Sequence, residues 1–321
     1  MPAISTQTSR IVVQTAADIM RRKLITLKPS DDLFDSVARL LKDNISGAPV
    51  VDDDGTYLGV LSEKCCIAAL TEAVELASEL GLHVVKVSEF MTRDLVTIGG
   101  DLCVFDAIDH LLKKRISGAP VTDSAGHFRG IFSEKTAMQV LASALMEGLP
   151  GTNVESYMNL DRNRIIDEND LLLDIAHKFQ ETPYRRLPVL RGERLVGQVS
   201  RRDVLKAELR LASEVISSSG HQKTPSERMK AVGQSQRVGD VMDTQASTAS
   251  PTTDLLGITQ RFLNSPYRRL PIIEHGKLVG QISRRDLLQA AASDMSPRKE
   301  SRGAETLYLS GNHRSAPESI S

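Results

Sequence analysis

The sequence predicts an α/β (α+β) fold built from four tandem repeats of β-α-β-β-α type. Three observations predict it. A Met precedes a Ser at a nearly fixed distance four times: Met20 to Ser62, Met91 to Ser133 and Met158 to Ser200 each span 42 positions, and Met242 to Ser283 spans 41. A Pro-centred strand recurs between them, as Ile45-Ser46-Gly47-Ala48-Pro49-Val50 and Ile116-Ser117-Gly118-Ala119-Pro120-Val121, then as Tyr184-Arg185-Arg186-Leu187-Pro188-Val189 and Tyr267-Arg268-Arg269-Leu270-Pro271-Ile272. A Gly three residues before each Ser closes a hydrophobic run, and the last two copies end alike, in Gly197-Gln198-Val199-Ser200-Arg201-Arg202-Asp203 and Gly280-Gln281-Ile282-Ser283-Arg284-Arg285-Asp286. Self-similarity at a fixed period decides the architecture ahead of propensity.

Copy one opens near Asp18-Ile19-Met20, and Leu24-Ile25-Thr26-Leu27 is a short β-prone run. Pro29-Ser30-Asp31-Asp32 reads as a helix start, with Ser30 as N-cap and acids in the first turn. Leu33, Val37, Leu40 and Leu41 keep the spacing of a core-facing helix. Asp52-Asp53-Asp54-Gly55 separates two apolar runs and predicts a hairpin. A second helix follows from about Glu63 to Leu80, with Gly81 placed to end it. Copies two to four open near Glu89-Phe90-Met91, Ser156-Tyr157-Met158 and Asp240-Val241-Met242 and repeat the plan. Leu171, Ile175 and Phe179 line a helix face in copy three, as Leu255, Thr259, Phe262 and Leu263 do in copy four. Ser217 to Arg237 reads as a linker and residues 294–321 as a disordered tail.

A single copy of about 55–65 residues is marginal by burial alone, so the copies are expected to pair. Copies one and two resemble each other most, as do three and four, which predicts two tandem pairs. The expected units are 11–83 with 84–148, and 149–220 with 221–293.

Composition bounds the function classes. The chain has 321 residues, 40% hydrophobic and 25% charged, with no Trp and 4% aromatic residues. So few rings argue against a base-stacking nucleic-acid platform. No signal-like segment and no apolar run of about 18 residues appears, so a cytoplasmic protein without a membrane span is expected. Net charge is −1, but residues 1–159 hold 15 basic against 21 acidic residues, and residues 160–290 hold 21 against 16. The second pair is therefore the expected host of an anionic ligand. Cys65, Cys66 and Cys103 fit neither a disulfide framework nor a metal motif, and the seven scattered histidines form no i, i+4 pair, so no metal is expected.

The Ser-Arg-Arg-Asp segments carry the chemistry. A strand that turns into a helix at Ser200 or Ser283 leaves backbone N–H groups at the positive end of the helix, which suits phosphate. Arg201, Arg202, Arg284 and Arg285 stand at that same end, where cations are unfavourable, and a bound polyanion would remove the conflict. Asp203 and Asp286 can accept from the two hydroxyls of a ribose. The competing reading is a capping box, in which Ser and Asp satisfy helix donors and nothing else. In copies one and two the segments are Ser62-Glu63-Lys64-Cys65 and Ser133-Glu134-Lys135-Thr136. Glu63 and Glu134 would repel phosphate, and Cys65 and Thr136 offer no carboxylate, so a weak or absent site is expected there.

These motifs together resemble cystathionine-β-synthase (CBS) domains, over about 18–75, 89–147, 156–212 and 240–293. The resemblance implies pairs of domains joined in Bateman modules with pseudo-twofold symmetry, and adenosine ligands such as AMP, ADP, ATP or S-adenosylmethionine. It places Ser200 and Ser283 near phosphate, Asp203 and Asp286 on ribose, and the arginine of a nucleotide-sensing segment on Arg186 and Arg269. The first-strand position near adenine falls on Arg164 and Thr248, with Thr26 and Thr97 matching it in copies one and two. Tyr184 and Tyr267 can flank a ring or pack on a helix. The four Met positions read as core anchors.

The function expected is that of a non-enzymatic sensor. An adenosine ligand in copies three and four would shift the arrangement of the domains, and a regulated protein in trans would respond. A homo-oligomer, dimeric through its CBS modules, is expected, with no catalytic cofactor. The alternative is a scaffold or oligomerisation protein with vestigial sites. An enzyme is disfavoured because no nucleophile–base arrangement or Walker loop appears. Nucleic-acid binding is disfavoured because the arginines cluster at helix starts.

Overall fold

The computed structural model describes residues 14–79, 84–146, 152–217 and 236–295. The linker, the tail and Gly81 fall wholly or largely outside them. Copy one contains α1 (Ala16–Ile19), α2 (Leu33–Lys42), β1 (Gly47–Val51), β2 (Tyr57–Ser62) and α3 (Glu63–Glu79). Copy two contains α4 (Val87–Phe90), β3 (Ile98–Gly99), α5 (Val104–Lys114), β4 (Gly118–Thr122), β5 (Phe128–Ser133) and α6 (Glu134–Met146). Copy three follows a 3-10 turn at Val154–Ser156 with β6 (Ile166–Asp167), α7 (Leu172–Glu181), β7 (Arg186–Arg191), β8 (Arg194–Ser200) and α8 (Arg201–Ser217). Copy four contains α9 (Val238–Val241), α10 (Leu255–Leu263), β9 (Arg269–Glu274), β10 (Lys277–Ser283) and α11 (Arg284–Met295).

The four-repeat β-α-β-β-α plan is present, with local differences. The leading strands of copies two and three pair parallel to β4 and β7, whereas copies one and four keep only the bridges Leu27–Val50 and Ala249–Ile272. The cap of α2 is Asp32 and not Ser30. Its carboxylate accepts from the backbone N–H of Phe34 at 2.9 Å and of Asp35 at 3.2 Å. Lys28 to Asp31 form a turn of their own, in which Asp31 N–H donates to the Lys28 carbonyl and the Asp31 carboxylate accepts from Lys28 N–H. That turn delays the helix by two residues. The hairpin expected at Asp52–Gly55 forms, with Gly55 at φ +79 and Asp52 accepting from Thr56 N–H at 2.7 Å. A positive φ at that position suits glycine.

Pairing follows one rule applied four times. The residue after each opening Met exchanges two backbone hydrogen bonds with the residue that follows the recurring Gly of another copy. Arg21 pairs with Gln281, Val60 with Asp243, Thr92 with Gln198 and Ile131 with Asn159, at 2.8–3.0 Å. The Met itself seats on that Gly. A methyl added to Gly130 would stand 2.9 Å from the sulfur of Met158, and one on Gly59 would stand 2.7 Å from the backbone carbonyl of Asp243. Met20 and Met91 seat likewise on Gly280 and Gly197. Copies one and four are therefore joined reciprocally through their strands, and copies two and three in the same way.

The helices join other partners. Copies one and three share one hydrophobic core, in which α3 packs on α7 and α8. Copies two and four share a second, in which α6 packs on α10 and α11. The four copies close into a ring through alternating strand and helix contacts. Tandem pairing of one with two and three with four is what sequence likeness led us to expect; the contacts of the described residues join unlike copies. No helix of the described residues is long and apolar enough to cross a membrane.

Candidate functional site

Two clefts open where strand-joined copies meet. The first, about 500 Å³, lies between copies two and three, with Ser133–Thr136 on one wall and Arg164, Tyr184 and Arg186 on the other. The second, about 530 Å³, lies between copies one and four, with Ser62–Cys65 facing Tyr267, Arg268 and Arg269. Pro183, Arg185, Pro266 and Arg268 line both, so the clefts meet at the centre of the ring. These volumes are of ligand-pocket size.

The centre is made by charge. Glu63 starts α3 and is 6% exposed; Glu134 starts α6 and is 2% exposed. Glu63 accepts from Arg185 at 3.3 Å and from Arg202 at 3.2 Å, both from copy three. Glu134 takes a two-pronged contact from Arg268, each bond 3.0 Å, and stands 3.8 Å from Arg285, both from copy four. The acids also favour the positive helix ends they occupy. Arg186 donates to the Gly118 carbonyl at 2.8 Å, and Arg269 donates to the Gly47 carbonyl at 3.1 Å and the Ser46 hydroxyl at 3.3 Å. Six guanidinium groups thus converge against Glu63 and Glu134, with Asp203 and Asp286 behind them. Burial pushes Arg185 down to about 9; Glu63 opposes the shift, and Arg268, Arg201 and Arg269 add to it. Burial, reinforced by Arg268, likewise pushes Arg269 down to about 10. A buried group of like charges short of counter-charge has its charged form disfavoured in this way.

The Ser-Arg-Arg-Asp ends are arranged differently from the expectation that a polyanion must complete them. Asp203 Oδ2 accepts from the backbone N–H of Ser200 at 2.8 Å and from its hydroxyl at 2.6 Å, and Asp286 does the same for Ser283. Arg201 turns away from its own helix start and donates to the carbonyls of Phe179 and Thr182 at the end of α7. Arg284 reaches the Phe262 and Ser265 carbonyls at the end of α10. A cation at a helix C-terminus is favourable, so the conflict read from the sequence is relieved within the chain. Arg202 meets Glu63 and Arg285 meets Glu134 in the pairs already described, each across a helix seam. Arg21 donates twice to Asp286 Oδ1, at 2.8 and 2.9 Å.

Of the residues singled out in the sequence, Arg164, Arg186 and Arg284 line the first cleft and Arg201 and Arg269 the second. Ser200, Arg202, Ser283, Arg285, Asp286 and Thr248 line neither. Asp203 borders a smaller hollow of about 320 Å³ with Glu89, Phe90 and Lys206. Arg164 lies over the Tyr184 ring at 4.8 Å, and Tyr267 donates to Asp243 Oδ2 at 2.6 Å. Sequence reasoning missed Arg185, Arg268 and the counter-charge role of Glu63 and Glu134. The signal was the doubled Arg in each Tyr-Arg-Arg-Leu segment, of which only the second was weighed. No group of three metal-ligating side chains stands together among the described residues.

An uncharacterized protein of Methanocaldococcus jannaschii, MJ1225, is 25% identical over 198 residues, 59% of this chain and 68% of its own. The gamma-3 subunit of 5'-AMP-activated protein kinase from Bos taurus is 24% identical over 196 residues, 58% of this chain and 39% of that subunit. Among solved structures, MJ1225 covers 86% of this chain and 99% of its own at 18% identity, with a TM-score of 0.37. CBSX2, solved in complex with AMP, covers 39% of this chain and 97% of its own at 27% identity, with a TM-score of 0.36. The CBS domain model matches residues 16–72, 87–143, 155–210 and 238–293, one match on each structural repeat. With each of the four repeats accounted for in this way, the chain belongs to the CBS domain family.

Proposed function

We propose that the two clefts bind an anionic adenosine ligand (AMP, ADP or ATP) and that occupancy is passed to a regulated protein through the arrangement of the four copies. The observation that carries this is the excess of guanidinium groups where the two clefts meet, with burial pushing Arg185 of both clefts and Arg269 of the second below the ordinary arginine value. Phosphate supplies the missing counter-charge, and arginine is the side chain suited to it. The family, and a relative named as a subunit of an AMP-activated kinase, support adenosine as the remainder of the ligand. A ligand gripping Arg185 and Arg268 touches copies three and four together. It therefore shifts their arrangement by the difference in its affinity for two states, typically about 1–3 kcal/mol.

Within the same proposal, Asp203 accepts a ribose hydroxyl through Oδ1, which the Ser200 cap does not use, whereas Oδ1 of Asp286 already takes Arg21. Calorimetric titration with AMP, ATP and S-adenosylmethionine tests the reading. Arg185→Ala and Arg268→Ala are expected to weaken nucleotide binding at least tenfold, about 1.4 kcal/mol. Asp203→Ala and Asp286→Ala are expected to weaken it less. No heat and no rise in melting temperature with any of the three ligands would reject the proposal in favour of a scaffold.

A further inference from the structure

Deep in the helix seam between copies one and three lies a polar cluster that the seam between copies two and four lacks. Thr71 on α3, Gln180 on α7 and Glu208 on α8 meet there. Counting from Ser133, Phe262 and Ser283 in place of Ser62, Phe179 and Ser200, the same positions in the other seam fall on Ala142, Leu263 and Ala291. One seam is apolar at this point; the other encloses a carboxyl group with no exposed surface.

Glu208 Oε1 lies 2.8 Å from Thr71 Oγ1, and Oε2 has no partner. Thr71 Oγ1 also lies 2.7 Å from the Ile67 carbonyl and accepts from Gln180 Nε2 at 3.0 Å. One hydroxyl proton cannot serve both the Ile67 carbonyl and Glu208. A protonated Glu208 donates its own proton to Thr71 Oγ1 and completes the set. Among the described residues, no Lys, Arg or His forms an ion pair with it.

The surrounding charges do not supply a counter-ion. On α3, Glu63 is held by Arg185 and Arg202, and burial pushes the Cys66 thiol well above its ordinary value. Glu75 on α3 and His177 on α7 bond each other at the rim of the seam, at 2.6 Å. Asp174, Lys178 and Glu181 are the remaining titratable groups of α7, Lys206 and Arg210 flank Glu208 on α8, and Glu89 lies on α4. A buried carboxylate without a cation is costly, and the group neutralises instead.

We propose that Glu208 is carried as the neutral acid and that its ionisation is an alkaline switch confined to the seam between copies one and three. Losing its proton to solvent leaves a bare carboxylate against Thr71 and weakens the packing of α8 on α3. The first turn of α8 holds Arg201 and Arg202, so the weakening reaches the wall of the second cleft and the Glu63 pairs. Burial raises this carboxyl to about 8, well above the ordinary 4.5. The sign follows from that direction. The stability it contributes is complete below the unfolded value, declines as pH rises through 8, and changes little beyond.

Hydrogen exchange of the full chain at pH 7 and pH 9, corrected for intrinsic rates, tests this seam against the other. Protection of α3 amides is expected to fall about tenfold relative to α6 amides in the natural chain, and to stay level in Glu208→Gln. An equal fall in α3 and α6, or the same fall in Glu208→Gln, overturns the proposal. Should Glu208→Gln not fold, infrared difference spectra of the natural chain decide instead. A protonated carboxyl band present at pH 7 and lost by pH 9 supports it, and absence of that band at pH 7 overturns it. Neither outcome depends on nucleotide binding.

Discussion

Copies one and two begin their second helices with Glu63 and Glu134; copies three and four begin theirs with Arg201-Arg202 and Arg284-Arg285. The acidic copies alone would each bury a carboxylate, and the arginine copies alone would crowd guanidinium groups at the wrong helix ends. Set against each other across the helix seams, each supplies what the other lacks. The contrast in charge between the two halves of the chain is thus spent largely inside the molecule. What remains is a surplus of arginine at the centre, and that residue of the comparison points to a ligand.

Reversing one side should break the comparison most sharply. Glu63→Arg places three guanidinium groups together and is expected to cost about 3–5 kcal/mol, read from urea unfolding. The double variant Glu63→Arg with Arg185→Glu should recover part of the loss. If the single reversal unfolds at the same urea concentration as the natural chain, complementarity does not organise the seam. The strand contacts come next. Gly59→Ala drives a methyl toward the Asp243 carbonyl and is expected to cost about 1–3 kcal/mol, with Gly130→Ala similar in the other strand pair. A local effect confined to one copy by exchange would refute the reciprocal pairing. The smallest effect sharpens the comparison within a single copy. Asp32→Ala removes the α2 cap for about 1 kcal/mol in thermal melting, while Ser30→Ala leaves the melt unchanged.

The repeats were legible because local chemistry makes them. Asp52 to Gly55 turns the chain by its own side chain and a positive φ, and Leu33, Val37 and Leu40 bury one face of α2. The partners of each copy were not legible. Arg202 looks unpaired in the sequence because Glu63, its counter-charge, stands 139 positions away. Arg201 misled for another reason: its acceptors, 22 and 19 positions back, are carbonyls left open only once α7 has formed. Ser30 and Asp32 show a local case: Asp32, read as an acid of the first turn, is the cap because the turn at Lys28–Asp31 delays the helix. Glu208 carried no motif at all. Its signal was an acid aligned with Ala291 of the next copy, and weighing it required knowing that both positions face a seam.

Equivalent contacts in the two strand-joined pairs differ greatly in chain separation: Arg186 reaches Gly118 across 68 residues, whereas Arg269 reaches Gly47 across 222. On a ribosome adding about 5–20 residues per second, the first gap is bridged in roughly 3–14 s and the second in roughly 11–44 s. Nascent copies two and three can therefore dock early, while copy one waits with its Gly59 edge unmated until copy four emerges. A chaperone acting on this polypeptide would be expected to act on that first-made, last-partnered segment.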